Sequence, residues 1–337
     1  MTPRTAVLAC LLCAANAPAQ ERGTAAEVRP VLRSQLGLSD GDLADLGRGR
    51  VVKHGLGSRA PGEVAVVGAI RIHAPKTAFV ARVRDIVRFK SGPGVLQIGR
   101  FSNPPVPDDL TALTIDKDDF DPRSCRLGDC SIRLPASVIA RVGREIDVNA
   151  ADAQARGAAL FKQVLLDDVS AYMSGTDRMR QYDDGPKPIR PRDELEGILA
   201  AMPEIGALMP GLPHHLLQFP SSRLPDAEDF LYWSKEKFGV APFITVTHVT
   251  IVCRSAETCL VATRDVYSSR YLDASVALAI ATDAGVADSF DLVYDNRSRA
   301  NALKGGLAGL RRSLTERRAR GSLEESLKTI KKQLEQG

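Results

Sequence analysis

The period of the apolar positions changes along this chain, and each change marks an element. Residues 63–72, EVAVVGAIRI, are nearly continuous apolar between Pro61-Gly62 and Pro75, the signature of a strand. Residues 76–89 carry Phe79, Val80, Val83 and Ile86 on one stripe, which predicts an amphipathic helix. From 92 to 135 short β-like runs (VLQIGRFS, LTALTI, SIRLP) are separated by Gly and Pro turns. A long helix is expected over 151–173, where Leu160, Phe161, Val164, Leu165, Val169, Tyr172 and Met173 share a face. A polar, proline-bearing stretch then leads from Ser174 through Pro191 into a short helix, DELEGILAAM.

Residues 202–220, MPEIGALMPGLPHHLLQFP, hold four prolines, so the expectation is an irregular segment. It is too apolar to hang in water, and it reads as a lid or rim over a pocket. Residues 226–238, with Trp233, the single tryptophan, read as helical. The block 241–321 then gives β-branched strands (PFITVTHVTIVC, CLVATRDVYSS, SFDLVYDNRSR) and a closing helix, 301–320. That helix shows a leucine stripe, Leu303, Leu307, Leu310 and Leu314. A second stripe, Leu323, Leu327, Ile330 and Leu334, is out of phase with it. Gly321 and a Ser322–Glu325 capping box therefore predict a separate tail helix over 322–337. The pattern as a whole is α+β: an antiparallel sheet closed by a long C-terminal helix, with a largely helical insertion at about 151–240. Residues 20–60 form a polar N-terminal segment with a helix cap at Ser39 or Asp40, and 61–321 form the main domain.

The N-terminus changes the setting. Arg4, an apolar run from Ala6 to Ala15 and Ala17-Pro18-Ala19 read as a signal peptide over 1–19, which implies export to a periplasm or the cell exterior. Cys10 lies too early for a lipoprotein acylation site. Removing 19 of 337 residues, Arg4 among them, lowers the formal charge from +4 to +3, too mild for a nucleic-acid partner. No later run of eighteen apolar residues suggests a membrane span.

Four cysteines then remain: Cys125, Cys130, Cys253 and Cys259. Three connectivities are open. The local one, Cys125–Cys130 with Cys253–Cys259, is favoured because each pair brackets turn residues between β-like runs. Neither spacing is C-x-x-C and neither has an adjacent histidine, so staples are favoured over a redox or metal role.

Candidate chemistry adds little. Asp116, Asp118, Asp119 and Asp121 lack the register of a calcium loop and read as a solvated turn. His214-His215 has no metal-ligand partner in sequence, and His248 reads as a satisfied, half-buried strand histidine. No nucleophile elbow, phosphate loop or other catalytic motif is present, so no catalytic residue, cofactor or metal is assigned. The sharpest electrostatic feature is the closing helix, where Arg311, Arg312, Arg317 and Arg318 suit an anionic membrane surface. Tyr267, Arg270 and Tyr271 cluster in VYSSRYLD at a possible pocket mouth.

The order of elements in EVAVVGAIRIHAPKTAFVARVRDI, then ITVTHVTIVC to DLVYDN, then a closing helix resembles the START-like helix-grip superfamily. The resemblance covers about 62–88 and 241–320 and leaves 91–240 as a large insertion. It implies a curved sheet wrapped round the C-terminal helix, with an apolar or lipid-like small molecule held between them. Trp233, His248, Tyr267, Arg270, Tyr271, Tyr294 and Arg297 are the candidate ligand contacts, with Arg270 or Arg297 for an anionic head. Two alternatives stand beside this exported binding protein: an envelope hydrolase or cyclase-like enzyme using the same pocket, and an interaction protein docking through its basic helix.

Overall fold

The computed structural model describes residues 27–92, 94–176, 181–183, 188–237, 241–254, 258–305 and 308–336. The expected signal peptide, Cys10 and Leu307 lie outside them. Two short helices open the described chain, α1 (Val28–Ser34) and α2 (Asp40–Gly47), the second capped by Ser39 in a capping box with Asp42. Strands β1 (Val52–Leu56) and β2 (Glu63–Ile72) follow, then α3 (Lys76–Arg84), α4 (Ile86–Lys90) and β3 (Val95–Arg100). The inserted region holds α5 (Ala136–Glu145), α6 (Ala153–Ser174), α7 (Pro191–Ala200), α8 (Pro203–Leu208) and α9 (Leu212–Gln218). A meander of β4 (Glu228–Lys237), β5 (Pro242–Arg254), β6 (Thr258–Ser268), β7 (Ala274–Asp283) and β8 (Phe290–Arg299) leads to α10 (Ala308–Glu335).

The strands form one antiparallel sheet in the order β1-β2-β8-β7-β6-β5-β4-β3. Consecutive strands β2 and β3 stand far apart in it, so α3 and α4 must cross one face to connect them. On that near face Val64, Val66, Ile70 and Ile72 of β2 pack with Phe79, Val80 and Val83 of α3 and with Leu323, Leu327 and Leu334 of α10. The far face is covered twice. Near β2, helices α1, α2 and α7–α9 bury Val67 and Ala69; near β4–β6, α6 and the 101–146 region bury Leu231, Trp233, Ile244 and Val246. Burial on both sides explains why β2 lacks alternation: both parities of its side chains need apolar surroundings.

Several expectations are corrected. Residues 228–237 are a strand, because both parities of EDFLYWSKEK (Phe230 and Tyr232, Leu231 and Trp233) are buried in a pleated sheet. The runs at 110–115 and 131–135 are loops whose Leu110, Leu113, Ile115, Ile132 and Leu134 fill the far-face core. The proline-rich segment 202–220 is neither irregular nor a lid. Pro203 and Pro213 sit in the first turns of α8 and α9, where a missing N–H costs nothing, and Met202, Ile205, Leu212 and Leu216 are fully buried. The acidic turn is not wholly solvated either, since Asp119 is buried against Lys235.

The closing helix is one element, running through Gly321 without a break. Its second stripe grips the sheet, and Gly68 makes room: a Cβ there would stand 2.9 Å from Leu323. Lys331 Nζ donates to the Arg71 carbonyl at 2.7 Å, and Glu335 accepts the His73 N–H at 2.7 Å, pinning the far end. Disulfides join Cys125 to Cys130 and Cys253 to Cys259, the local pairing. Cys253 and Cys259 face each other across β5 and β6, so their bond staples that hairpin. Two disulfides suit an oxidising, exported compartment. Among the described residues no helix is long and apolar enough to cross a membrane.

Candidate functional site

The near face changes character halfway along its strands. Phe230, Val249, Val261, Ala279 and Leu292 continue the apolar floor under the crossing helices. Two to six residues along from these, at the same parity, the strands offer Ser234 and Glu236, Thr245 and Thr247, Thr263 and Asp265, Ser275, and Tyr294, Asn296 and Ser298. Strand alternation puts all of these on one side, and the antiparallel registers bring them together. Glu236, Thr263, Asp265, Ser275, Tyr294, Asn296 and Ser298 are half-buried, as is Lys90 at the end of α4. The result is a polar hollow with an apolar back wall, bounded by Lys90, Tyr232 and Tyr294.

Its hydrogen bonds form two groups. Lys90 Nζ donates to Tyr232 Oη and to Glu236 Oε1, each at 3.1 Å, and Ser234 Oγ donates to the same carboxylate at 2.7 Å. Ser234 also meets Thr245 at 3.0 Å, and Thr247 donates to Asp265 Oδ1 at 3.1 Å. On β7 and β8, Ser275, Asn296 and Ser298 bond to one another at 2.9–3.2 Å.

The charges are poised unequally. Burial pushes the Asp265 carboxyl up to about 7; the Thr247 hydrogen bond and the Lys90 ammonium oppose that shift, and Glu236 adds to it. Lys90 is held well above its ordinary range: burial works against its charge, but Tyr232 and Glu236 outweigh it. Glu236 is lowered, since Lys90 and Ser234 overcome its burial. Burial raises the Tyr294 hydroxyl. The hollow therefore presents a fixed ion pair beside a carboxyl that exchanges protons near neutral pH. Such a group can donate or accept a hydrogen bond and can transfer a proton.

A second cluster lies on the far face and is closed. His248, fully buried, bonds through Nε2 to Asp229 Oδ1 at 2.9 Å and through Nδ1 to Tyr172 Oη at 2.8 Å. Asp229 Oδ1 also meets His215 Nε2 at 3.0 Å and accepts from Thr250 at 2.7 Å. Despite partial burial these contacts hold Asp229 well below the usual carboxylate range. Burial, with the cation of Arg264 alongside, depresses His248 to about 4. Tyr172 serves as donor to a neutral His248, which donates in turn to Asp229. Phe219 and Tyr172 pack over these rings, so nothing reaches the imidazole from solvent. Arg264 stands over the Tyr172 ring at 4.8 Å and borders a cavity of about 20 Å³ with Tyr182, Leu195, Tyr267 and Asp273. That is room for a water molecule and little more.

Of the seven residues singled out for ligand contact, only Tyr294 lies in the hollow. Trp233 is fully buried on the far face, donating to the Asp109 carbonyl at 2.8 Å. Tyr267 is buried there too, donating to the Arg133 carbonyl at 3.0 Å. Arg270 ties three loops together through the carbonyls of Ser131, Pro242 and Asp119, at 3.1–3.2 Å. Tyr271 bonds the backbone of Ala241, and Arg297 is buried against Glu63 at 2.9 Å. His248 belongs to the closed cluster, and neither Arg270 nor Arg297 is free to receive an anionic head. Arg311, Arg312, Arg317 and Arg318 are all exposed on α10.

Residues read past in sequence supply the site: Lys90, Tyr232, Glu236, Thr247 and Asp265. The available signal was parity. In β6, Thr263 and Asp265 follow Cys259 and Val261 on the same face, a polar turn in an apolar row. No family model, curated protein or solved structure matches the chain.

Proposed function

We propose that the protein is an exported binding protein for an amphipathic small molecule whose polar end sits in the hollow over Asp265. The observation that carries this reading is the division of one sheet face into an apolar back and a half-exposed polar front. A ligand with both characters gains from each: burial of its apolar part against Ala279 and Tyr294, and hydrogen bonds from Thr247, Lys90 and Asp265. The order strand, helices, antiparallel strands and closing helix supports a helix-grip-like architecture, with β1 added at the edge and 101–227 inserted between β3 and β4. In that frame the ligand lies on the sheet beside α10, with no proline-rich lid above it.

The test is native mass spectrometry of the exported protein, followed by solvent extraction and a thermal-shift screen of amphipaths. Copurifying ligand, or a shift of several degrees that vanishes in Asp265→Asn and Tyr294→Ala, supports the reading. Neither in the wild type overturns it. One observation favours a second reading, an envelope hydrolase or cyclase-like enzyme: a carboxyl at about 7 is suited to general acid–base work. Turnover of a bound amphipath that falls at least 100-fold in Asp265→Asn, with binding retained, would select it.

A further inference from the structure

Two leucines of the first stripe, Leu310 and Leu314, point away from the sheet, whereas Leu303 packs against the near-face core. Ala319, Leu323, Leu327, Ile330 and Leu334 define the sheet-facing side of α10. At about 100° per residue, Leu310 and Leu314 stand roughly 140–180° round from it. Leu310 is 64 % exposed and Leu314 49 %, which is unusual for large apolar side chains one turn apart. Arg311, Arg317 and Arg318 flank them on the same outward half; Arg312 is exposed too, but on the opposite side of the helix. Between 308 and 320 the single acid is Glu316, which faces Gly55 of β1 and pairs with Arg320. None of Arg311, Arg312, Arg317 and Arg318 has an ion-pair partner among the described residues; Arg311 donates to the Ala302 carbonyl at 3.3 Å.

We infer that the outward face of residues 310–318 docks the protein in plane on an anionic phospholipid bilayer. Two leucines enter the headgroup–acyl boundary, and the arginines meet lipid phosphates. Charge complementarity selects this occupant. Guanidinium forks match phosphate oxygens, and their aliphatic stems lie along apolar surface with the charge in water, as at a membrane interface. The rest of α10 is clamped to β2, so the helix backbone under this face is already in place and need not fold on binding. The inference does not depend on what the hollow holds.

Vesicle co-sedimentation decides it. The probe is a phosphatidylcholine vesicle with 30 % phosphatidylglycerol, against pure phosphatidylcholine. Expected is binding to the anionic vesicle alone, weakened by salt. It should fall about 100-fold or more in Arg311→Glu/Arg317→Glu/Arg318→Glu, at roughly fivefold per cation before reversal. Leu310→Ser/Leu314→Ser should cost about tenfold with every charge intact. All substitutions are on an exposed face, and an unchanged melting temperature verifies folding. No binding to the anionic vesicle at 0.1 M salt overturns the inference. So does binding indifferent to the leucines and matched by soluble polyglutamate, which would make the partner an acidic polypeptide.

Discussion

The two faces of the sheet both carry buried or half-buried ionisable groups, yet they use them differently. On the far face the set Tyr172–His248–Asp229–His215 is internally satisfied: each ring nitrogen meets an oxygen, and Asp229 Oδ1 meets three donors. On the near face Asp265 has one hydrogen bond from Thr247 and a carboxyl raised to about 7. A satisfied network rigidifies the fold, whereas an underused, water-accessible group is left for something else to meet. Resemblance to a catalytic arrangement is therefore misleading here. The histidine–carboxylate pair belongs to the scaffold, and the lone aspartate is the functional candidate.

The sharpest way to break this contrast is by truncation. Trp233→Ala should destabilise by about 3–5 kcal/mol in urea unfolding, through a cavity and an orphaned Asp109 carbonyl. His248→Ala should cost about 2–4 kcal/mol, because it removes the ring packing and the hydrogen bonds to Tyr172 and Asp229 inside the core. Tyr294→Ala in the hollow should cost less than either. Equal losses on the two faces would erase the distinction.

The pH dependence should run in opposite directions. Asp265, raised in the folded state, contributes stability that is full below about pH 4 and is lost as the pH climbs through about 7. Asp265→Asn should thus stabilise the protein by about 1–3 kcal/mol at pH 8 and leave it unchanged near pH 4. His248, depressed to about 4, contributes stability that is present above about 6.5 and is lost as the pH falls toward 4. Urea midpoints of wild type and Asp265→Asn across pH 4–8 separate the two; a constant difference would refute the assignment for Asp265.

Smaller effects sharpen the picture. Reopening the Cys253–Cys259 hairpin with a double serine substitution should cost about 2 kcal/mol, as a loop this short constrains little chain entropy. Tyr172→Phe should cost about 1–2 kcal/mol, the price of an unmet His248 nitrogen. Thr247→Val should change stability by less than about 1 kcal/mol. By removing its one hydrogen-bond donor it should also raise the Asp265 carboxyl further, visible by NMR titration of the side chain.

Parts of the fold were legible where local periodicity and tertiary burial agree. The strand 63–72, the helix 151–173 and the meander after 241 announce themselves, since their side chains face the surroundings that their period implies. Legibility failed where charged residues crowd a short buried strand or where prolines frame a segment. EDFLYWSKEK reads as a helix because acids and lysines flank its four apolar residues, and nothing in it says that two layers will cover it. Residues 202–220 read as irregular because prolines break helices in mid-run, although they also start them. The hollow was hidden for another reason: it is built from one to three polar residues on each of five strands and a helix end, each unremarkable alone.

The sequence by itself determined the composition of each strand and helix and the local pairing that favoured two hairpin-scale disulfides. Those depend on neighbours within about ten residues. Only the tertiary structure decided which side of each element meets what. It turned Leu310 and Leu314 outward on a helix whose next turns grip the sheet. It closed His248 inside the far layer and left Asp265 half-buried on the near face. The physical reason is that burial and charge are properties of the assembled layers: a carboxyl moves to about 7 only when strands distant in sequence surround it.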